Sequence, residues 1–470
     1  MPDRDSHIPR GRARRTMPLA GFTTRAAAGR LVAGIREKAG SDGAVGRFHE
    51  RTAERYAELL GHSKGALMKV GQLISTIDMQ GVGTGGFAPY QQALIRLQSD
   101  APPMAPPLVR EVLDAELGSA AEQFADFCEE PMAAASIGQV HRAVLRDGRQ
   151  VAVKIQYPGV AQAIREDLAN TELVATFARF ATSASGIMFD PRTLARELTM
   201  RIGEEVDYQR EAAMIEAFSD LYRGHPFIRV PDVVPQTSTD RVLTMTYLDG
   251  VDWAAAQQAE QELKNSWAEA ILRFGYGNIR HANLLHADPH PGNYRFCPDG
   301  TVGFVDFGCV KILPERLRRL WVTIMRAVID GRIEDIRATV VEAGFITEDS
   351  TLTGEELYEF YSQVFCEIVI APQPATYSSE SGARTARRLF GLDSTNPLSR
   401  MTVAADYVFV PRVHQAWSNV CGGLNATLHA RAIADDMDDV AEPITDLGEQ
   451  HHAWLRERGL PGALDHHDHP

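Results

Sequence analysis

Asp288, Asn293 and Asp306 are the residues whose types and spacing carry the strongest chemical signal in this chain. They stand in His286-Ala287-Asp288-Pro289-His290-Pro291-Gly292-Asn293 and in Val305-Asp306-Phe307-Gly308. An acid, an amide five residues on, and a second acid closing an apolar run are what magnesium-assisted phosphoryl transfer requires. One carboxylate orients the nucleophile, and the amide oxygen and the other carboxylate hold metal on nucleotide phosphates. Upstream, Val151-Ala152-Val153-Lys154 supplies a lysine for the α- and β-phosphates. Each piece alone is weak; four in this order within about 150 residues are specific.

Other stretches complete such a site. Ala133-Ala134-Ala135-Ser136-Ile137-Gly138-Gln139-Val140 has the GxGxxGxV spacing of a phosphate loop, with alanine at the first two glycine positions. Alanine disfavours positive φ, so this turn should be stiffer than a glycine loop. Lys154 reads as the end of an apolar strand, where a lysine is ordinarily solvated. Its carboxylate partner is expected in a helix over Pro191–Leu221, from Glu205, Asp207 or Glu211. On a continuous helix Asp207 and Glu211 share a face, whereas Glu205 points roughly 160° away from Asp207. Met245, Tyr247 and Leu248 read as a strand whose backbone meets adenine. His286 and Asp288 stand as in an HRD triplet, with Ala287 in place of the arginine, and His290 replaces the usual lysine. A His286-x-Asp288-x-His290 metal cluster is the alternative, at the cost of making the Asn293 and Asp306 spacings coincidental. After Gly308 the chain meets Pro314 and a strong helix from Glu315, with no room for a long activation segment, which argues against protein substrates.

The elements that must position these residues follow from periodicity. Helical spacing runs from about Val45 to Thr76, over Pro89–Gln98 and over Pro107–Leu117. Period-two strands at Ile137–Val144 and Gln150–Ile155 turn at Asp147-Gly148. A helix is expected over Val160–Phe180, and further strands at Arg229–Val234 and Arg241–Tyr247. A hairpin, Tyr294–Cys297 with Thr301–Val305, turns at Pro298-Asp299-Gly300 between the two acids. Helices then run from Glu315 to about Arg431, and a polar, solvated tail is expected from His451.

Composition bounds the class. The 470 residues are 44% hydrophobic and 23% charged, as in a globular protein of two or three core-forming units. Five scattered cysteines suit a reducing compartment and disfavour structural zinc. The net charge is −14, yet residues 1–36 hold eight arginines against Asp3 and Asp5. A basic arm on an acidic body disfavours wholesale nucleic-acid binding and suits either a solvated tail, a transit peptide or contact with anionic lipid. No apolar run reaches 18 residues; Leu173–Phe189, interrupted by Arg179, reads as a buried helix.

Together these residues resemble the UbiB/AarF family of atypical protein-kinase-like ATPases. The resemblance covers roughly residues 50–345. It rests on Lys69-Val70-Gly71-Gln72 for KxGQ, the alanine loop Ala133–Ser136, Val151–Lys154, Glu205-Val206-Asp207 for ExD followed by Glu211, Asp288 to Asn293, and Asp306-Phe307-Gly308. It implies an α+β, bilobal kinase-like fold. The expected domains are a basic arm (1–40), a helical extension with KxGQ over the cleft (41–123), a β-rich N-lobe (124–247), a helical C-lobe (248–450) and a tail (451–470). Lys69 would then meet Glu205 and Asp207, with Gly71 and Gln72 in the same regulatory motif, while Glu211 would pair with Lys154. The resemblance further implies ATP and magnesium as cofactors and slow ATP hydrolysis or small-molecule phosphorylation in support of isoprenoid-quinone synthesis. A lipid or quinone-precursor ligand, quinone-biosynthesis enzymes and a peripheral membrane contact are the implied partners, with a cytoplasmic or membrane-peripheral location and no transmembrane helix. A choline- or aminoglycoside-type phosphotransferase and a non-catalytic nucleotide-binding scaffold are the rival readings.

Overall fold

The computed structural model describes residues 103–118, 120–135, 137–168, 203–204, 206–390, 396–402 and 409–460. The Lys69–Gln72 stretch, the helices expected at 45–98, the Leu173–Phe189 run, Ser136 and Glu205 lie outside them. Two compact units emerge. One runs to Arg210 and adds Val233–Tyr247; the other takes Glu211–Asp232 and the chain from Leu248 onward. The lobe expected at 124–247 is therefore divided, and residues 211–232 belong with the C-terminal unit.

The first unit is built on an antiparallel sheet. Strands Phe124–Phe127, Gly138–Leu145, Gln150–Gln156 and Val242–Thr246 lie in that order, and Ala133–Ala135 also pairs with Gly138–Leu145. The Asp147-Gly148 turn forms as expected: Gly148 takes φ 86°, and the Asp147 carboxylate accepts the Arg149 N–H at 3.0 Å. Alternation then sorts the strand residues. Val151, Val153 and Ile155 are fully buried. On their side, helix Pro106–Leu117 buries Val109, Val112 and Leu113, and the Met104 N–H donates to Gln139 at 2.8 Å.

The second unit is mainly helical. Helix Gln261–Ala282 is buried without interruption from Trp267 to His281. It supports the hairpin Tyr294–Phe296 / Val302–Phe304: Phe274 stacks on Phe304 with centroids 3.6 Å apart, and Trp267 Nε1 donates to the Cys297 carbonyl at 2.9 Å. Helices Glu315–Asp330, Ile333–Glu342, Gly354–Val364, Ser379–Phe390, Phe409–Gly423, Ala430–Met437 and Asp446–Arg458 follow. Arg273 ties the long helix to this C-terminal set; its buried guanidinium bonds Glu269 at 2.9 Å and both Asp436 oxygens at 2.7 Å. No helix among the described residues is long and apolar enough to cross a membrane.

Three expectations change. The strand expected at Arg229–Val234 shrinks to Ile228–Arg229, parallel to Val302-Gly303, because Pro231 lacks a ladder donor. Val233 makes only an isolated bridge to Met245. The helix expected up to Leu221 is interrupted at Val206-Asp207 and starts afresh at Tyr208. Finally, the solvated tail begins no earlier than Leu460: residues 446–458 are helical, and His451 is fully buried. The Thr445 side chain starts that helix by accepting the Gly448 N–H at 3.0 Å, so the histidines there follow helical rather than random-coil geometry.

Candidate functional site

In the first unit, register places the nucleotide-binding candidates on one sheet face. Lys154 lies opposite Val140 on one neighbouring strand and Leu243 on the other, and Ala152 lies opposite Met245. Ala133 is opposite Val140 and Ala135 opposite Gly138, which puts both alanines on that face and Ala134 on the other. The alanine stretch is thus a strand in a tight hairpin rather than an open turn. Gly138 is required by close approach: a Cβ there would come within 2.1 Å of the Ile155 carbonyl oxygen. Lys154 is not at a strand end. It sits inside Gln150–Gln156, is only 8% exposed, and carries its ammonium 5.3 Å from the centre of the Tyr208 ring. The strand expected over Met245–Leu248 stops at Thr246. The Tyr247 ring lies under the Arg142 guanidinium at 4.5 Å, while Leu248 belongs to the second unit and packs against Gly303. Asp207, outside the helix, accepts the Arg210 N–H at 2.9 Å as an N-cap, so it shares no helix face with Glu211.

In the second unit, two strand pairings bring Asp288, Asn293 and Asp306 to one end of the hairpin. Leu284–His286 pairs antiparallel with Val310–Ile312, and the Ala287 N–H extends that ladder to the Cys309 carbonyl at 2.8 Å. The hairpin strands pair Tyr294 with Phe304, and the Val305 N–H donates to the Asn293 carbonyl at 3.1 Å. Asn293 Nδ2 donates to the Asp288 carbonyl at 2.9 Å and to its carboxylate at 3.2 Å, which leaves the amide oxygen as the acceptor Asn293 can offer. Asp306 accepts the Gly308 N–H at 3.0 Å. Buried His286 donates from Nε2 to the Asp306 carbonyl at 2.6 Å. Phe307, fully buried, packs 4.9 Å from Phe218 and edge-on to His286 at 5.3 Å, and this column fixes Asp306. Buried Glu211 faces the same loop: a Cβ on Gly308 would lie 3.4 Å from Asp306 Oδ1 and 3.6 Å from Glu211 Oε2.

Oxygen donors of this kind suit magnesium, a hard cation bound through one or two carboxylates together with substrate phosphates. Glycine at 308 leaves space between two carboxylates that a side chain would fill. The His286-x-Asp288-x-His290 alternative does not assemble. His286 is committed to Asp306, exposed His290 accepts the Gly292 N–H at Nδ1, and no group of three His, Cys, Asp or Glu positioned for a metal occurs among the described residues. Burial, reinforced by the Asp288 charge, pushes the Tyr294 phenol well above its ordinary range.

The contacts that Tyr208 and Phe218 make were not singled out from the sequence. Tyr208 adjoins the ExD stretch, but an aromatic beside an acid carries no distinctive spacing. Phe218 reads as one more apolar helix residue.

Residues 96–340 match the ABC1 atypical kinase-like domain. A mitochondrial atypical kinase of Rattus norvegicus, COQ8B, is 32% identical over 350 residues, 73% of this chain and 63% of that protein. The mitochondrial atypical kinase COQ8 of Saccharomyces cerevisiae is 33% identical over 266 residues, 56% of this chain and 51% of that protein. The chain thus spans less than two thirds of the length of either relative. Among solved structures, a complex of Rv3197 with erythromycin from Mycobacterium tuberculosis superposes with a TM-score of 0.59 at 30% identity, covering 84% of this chain and 97% of that one.

Proposed function

Because the chain belongs to the UbiB/AarF family of ABC1 atypical kinase-like proteins, with their α+β kinase-like fold, we propose that it binds ATP and acts as an atypical kinase or ATPase. The observation that carries this reading is the convergence of Asp288, Asn293 and Asp306 at the base of one hairpin. Asn293 and Asp306 hold magnesium, which when bound neutralises phosphate charge. Asp288 orients the attacking water or hydroxyl. Lys154 grips the phosphates, and the face bearing Ala133, Ala135, Gly138, Val140 and Met245 takes the nucleotide. The short link after Gly308 supports a small-molecule or lipid substrate rather than a protein, and the family supports isoprenoid-quinone synthesis as the setting, with quinone-precursor phenols and anionic membrane surfaces as candidate effectors. The named complex of the solved relative favours a second reading, in which a bulky amphipathic molecule such as erythromycin is a ligand of this chain.

The test is a thermal melt with ATP and magnesium on the wild type and on Asp306→Asn, followed by turnover with and without anionic liposomes and quinone-precursor phenols. A magnesium-dependent melting shift that Asp306→Asn abolishes supports the assignment, and an unchanged shift in the variant refutes it. Turnover stimulated by lipid or phenol supports the proposed setting. A shift with erythromycin alone, and none with nucleotide, favours the second reading.

A further inference from the structure

Helix Tyr208–Leu221 carries Glu211 in its first turn and Phe218 near its end, the two residues that meet the Asp306–Gly308 loop. The C-terminal end of this helix is fastened by residues more than two hundred positions away. Trp454 Nε1 donates to the Arg223 carbonyl at 3.2 Å, and the indole lies parallel to the Tyr222 ring, centroids 5.8 Å and planes 7° apart. Arg458 Nη2 donates to the Asp220 carbonyl at 2.7 Å, which caps a helix-end acceptor. His225 Nδ1 accepts the N–H groups of Phe227 and Ile228 at 3.3 and 3.1 Å. Its Nε2 therefore bears the proton and donates to His451 Nδ1 at 2.9 Å. Tyr222 in turn donates to Asn278 Oδ1 at 2.7 Å on the long central helix. Trp454, Arg458 and His451 all belong to helix Asp446–Arg458, which lies beyond the matched 96–340 domain.

We propose that helix Asp446–Arg458 is a positioning element for the phosphoryl-transfer residues: by clamping the end of helix Tyr208–Leu221 it holds Glu211 and Phe218 in register with the Asp306–Gly308 loop. Trp454 and Arg458 are its positioning residues, and neither touches the reacting groups. This rests on the function proposed above.

The experiment uses the full chain with Trp454→Ala, Trp454→Phe and Arg458→Ala, and reads amide hydrogen exchange along residues 211–223, melting temperature, and affinity for magnesium ATP. Trp454→Ala should speed exchange over 211–223 more than over the central helix and weaken nucleotide affinity roughly three- to tenfold. Trp454→Phe, which keeps the ring stack, should recover most of the loss. Arg458→Ala, at an exposed position, should act in the same direction with the melting temperature unchanged; it and Trp454→Phe carry the test if Trp454→Ala does not fold. Unaltered exchange over 211–223 overturns the clamp, and faster exchange with unaltered nucleotide affinity overturns its role in the site. A wild type that binds no nucleotide defeats the function proposed above, and the exchange measurement alone then decides whether the clamp exists.

Discussion

Asn293 shows how much one amide can govern. Its Nδ2 bonds both the carbonyl and the carboxylate of Asp288, so it shapes the acid's loop as well as offering an oxygen. Asn293→Asp replaces a donor by a second negative charge facing Asp288. Asn293→Ala only removes the donor. Equilibrium urea unfolding should show the aspartate variant as the weaker of the two, with a loss on the order of 1–3 kcal/mol against wild type. Equal midpoints for the two variants would show that the added charge costs nothing, and a wild-type midpoint for Asn293→Ala would show that the bond to Asp288 contributes nothing. The types and spacing of Asp288, Asn293 and Asp306 were legible in the sequence because acid and amide positions in a short loop are local. The roles of Tyr208 and Phe218 were not, because a ring's partner across the fold leaves no local trace.

Among the elements, the strands around Lys154 followed their sequence pattern closely, since alternation and an Asp-Gly turn are strong local signals. The helix before Glu211 did not. Period alone could not reveal that Asp207 would spend its carboxylate on the Arg210 N–H and restart the helix there. Gly138 was read as a phosphate-loop glycine, and the strand geometry supplies an independent reason for it. A Cβ at this position would sit 2.1 Å from the Ile155 oxygen, and a backbone atom cannot rotate away. Gly138→Ala should therefore cost about 3 kcal/mol or more by forcing the two strands apart, visible as a large drop in melting temperature without any nucleotide present. A melting temperature within a degree or two of wild type would show that the close approach relaxes freely.

Across the whole molecule, buried histidines set the acid limit of stability. Burial, with Arg229 and Arg273 nearby, pushes His225 down to about 2; burial and the neighbouring histidines and Arg273 hold His451 well below its ordinary value; burial lowers His414 to about 4. In the unfolded chain these rings take up protons near pH 6.5. The folded state binds fewer protons than the unfolded one below that value, so stability is complete above about pH 7 and falls as the pH drops. Three such rings give a slope of about 4 kcal/mol per pH unit between roughly pH 6 and 4.5. Denaturant unfolding across that window tests this, and a flat profile would mean that the rings are protonated in the fold. Composition announced fifteen histidines but not which were interior, and those at 451 and 452 looked like tail residues because the helix that holds them packs on segments far away in sequence.

Only Cys309-Val310-Lys311-Ile312-Leu313-Pro314 separates Gly308 from the helix at Glu315, and half of that link is stitched to the strand before Asp288. None of the six side chains bears a hydroxyl. A kinase able to esterify this span would find no acceptor, and a span so tethered has no slack to swing aside. The segment thus offers no covalent ignition key at the place where signalling kinases keep theirs.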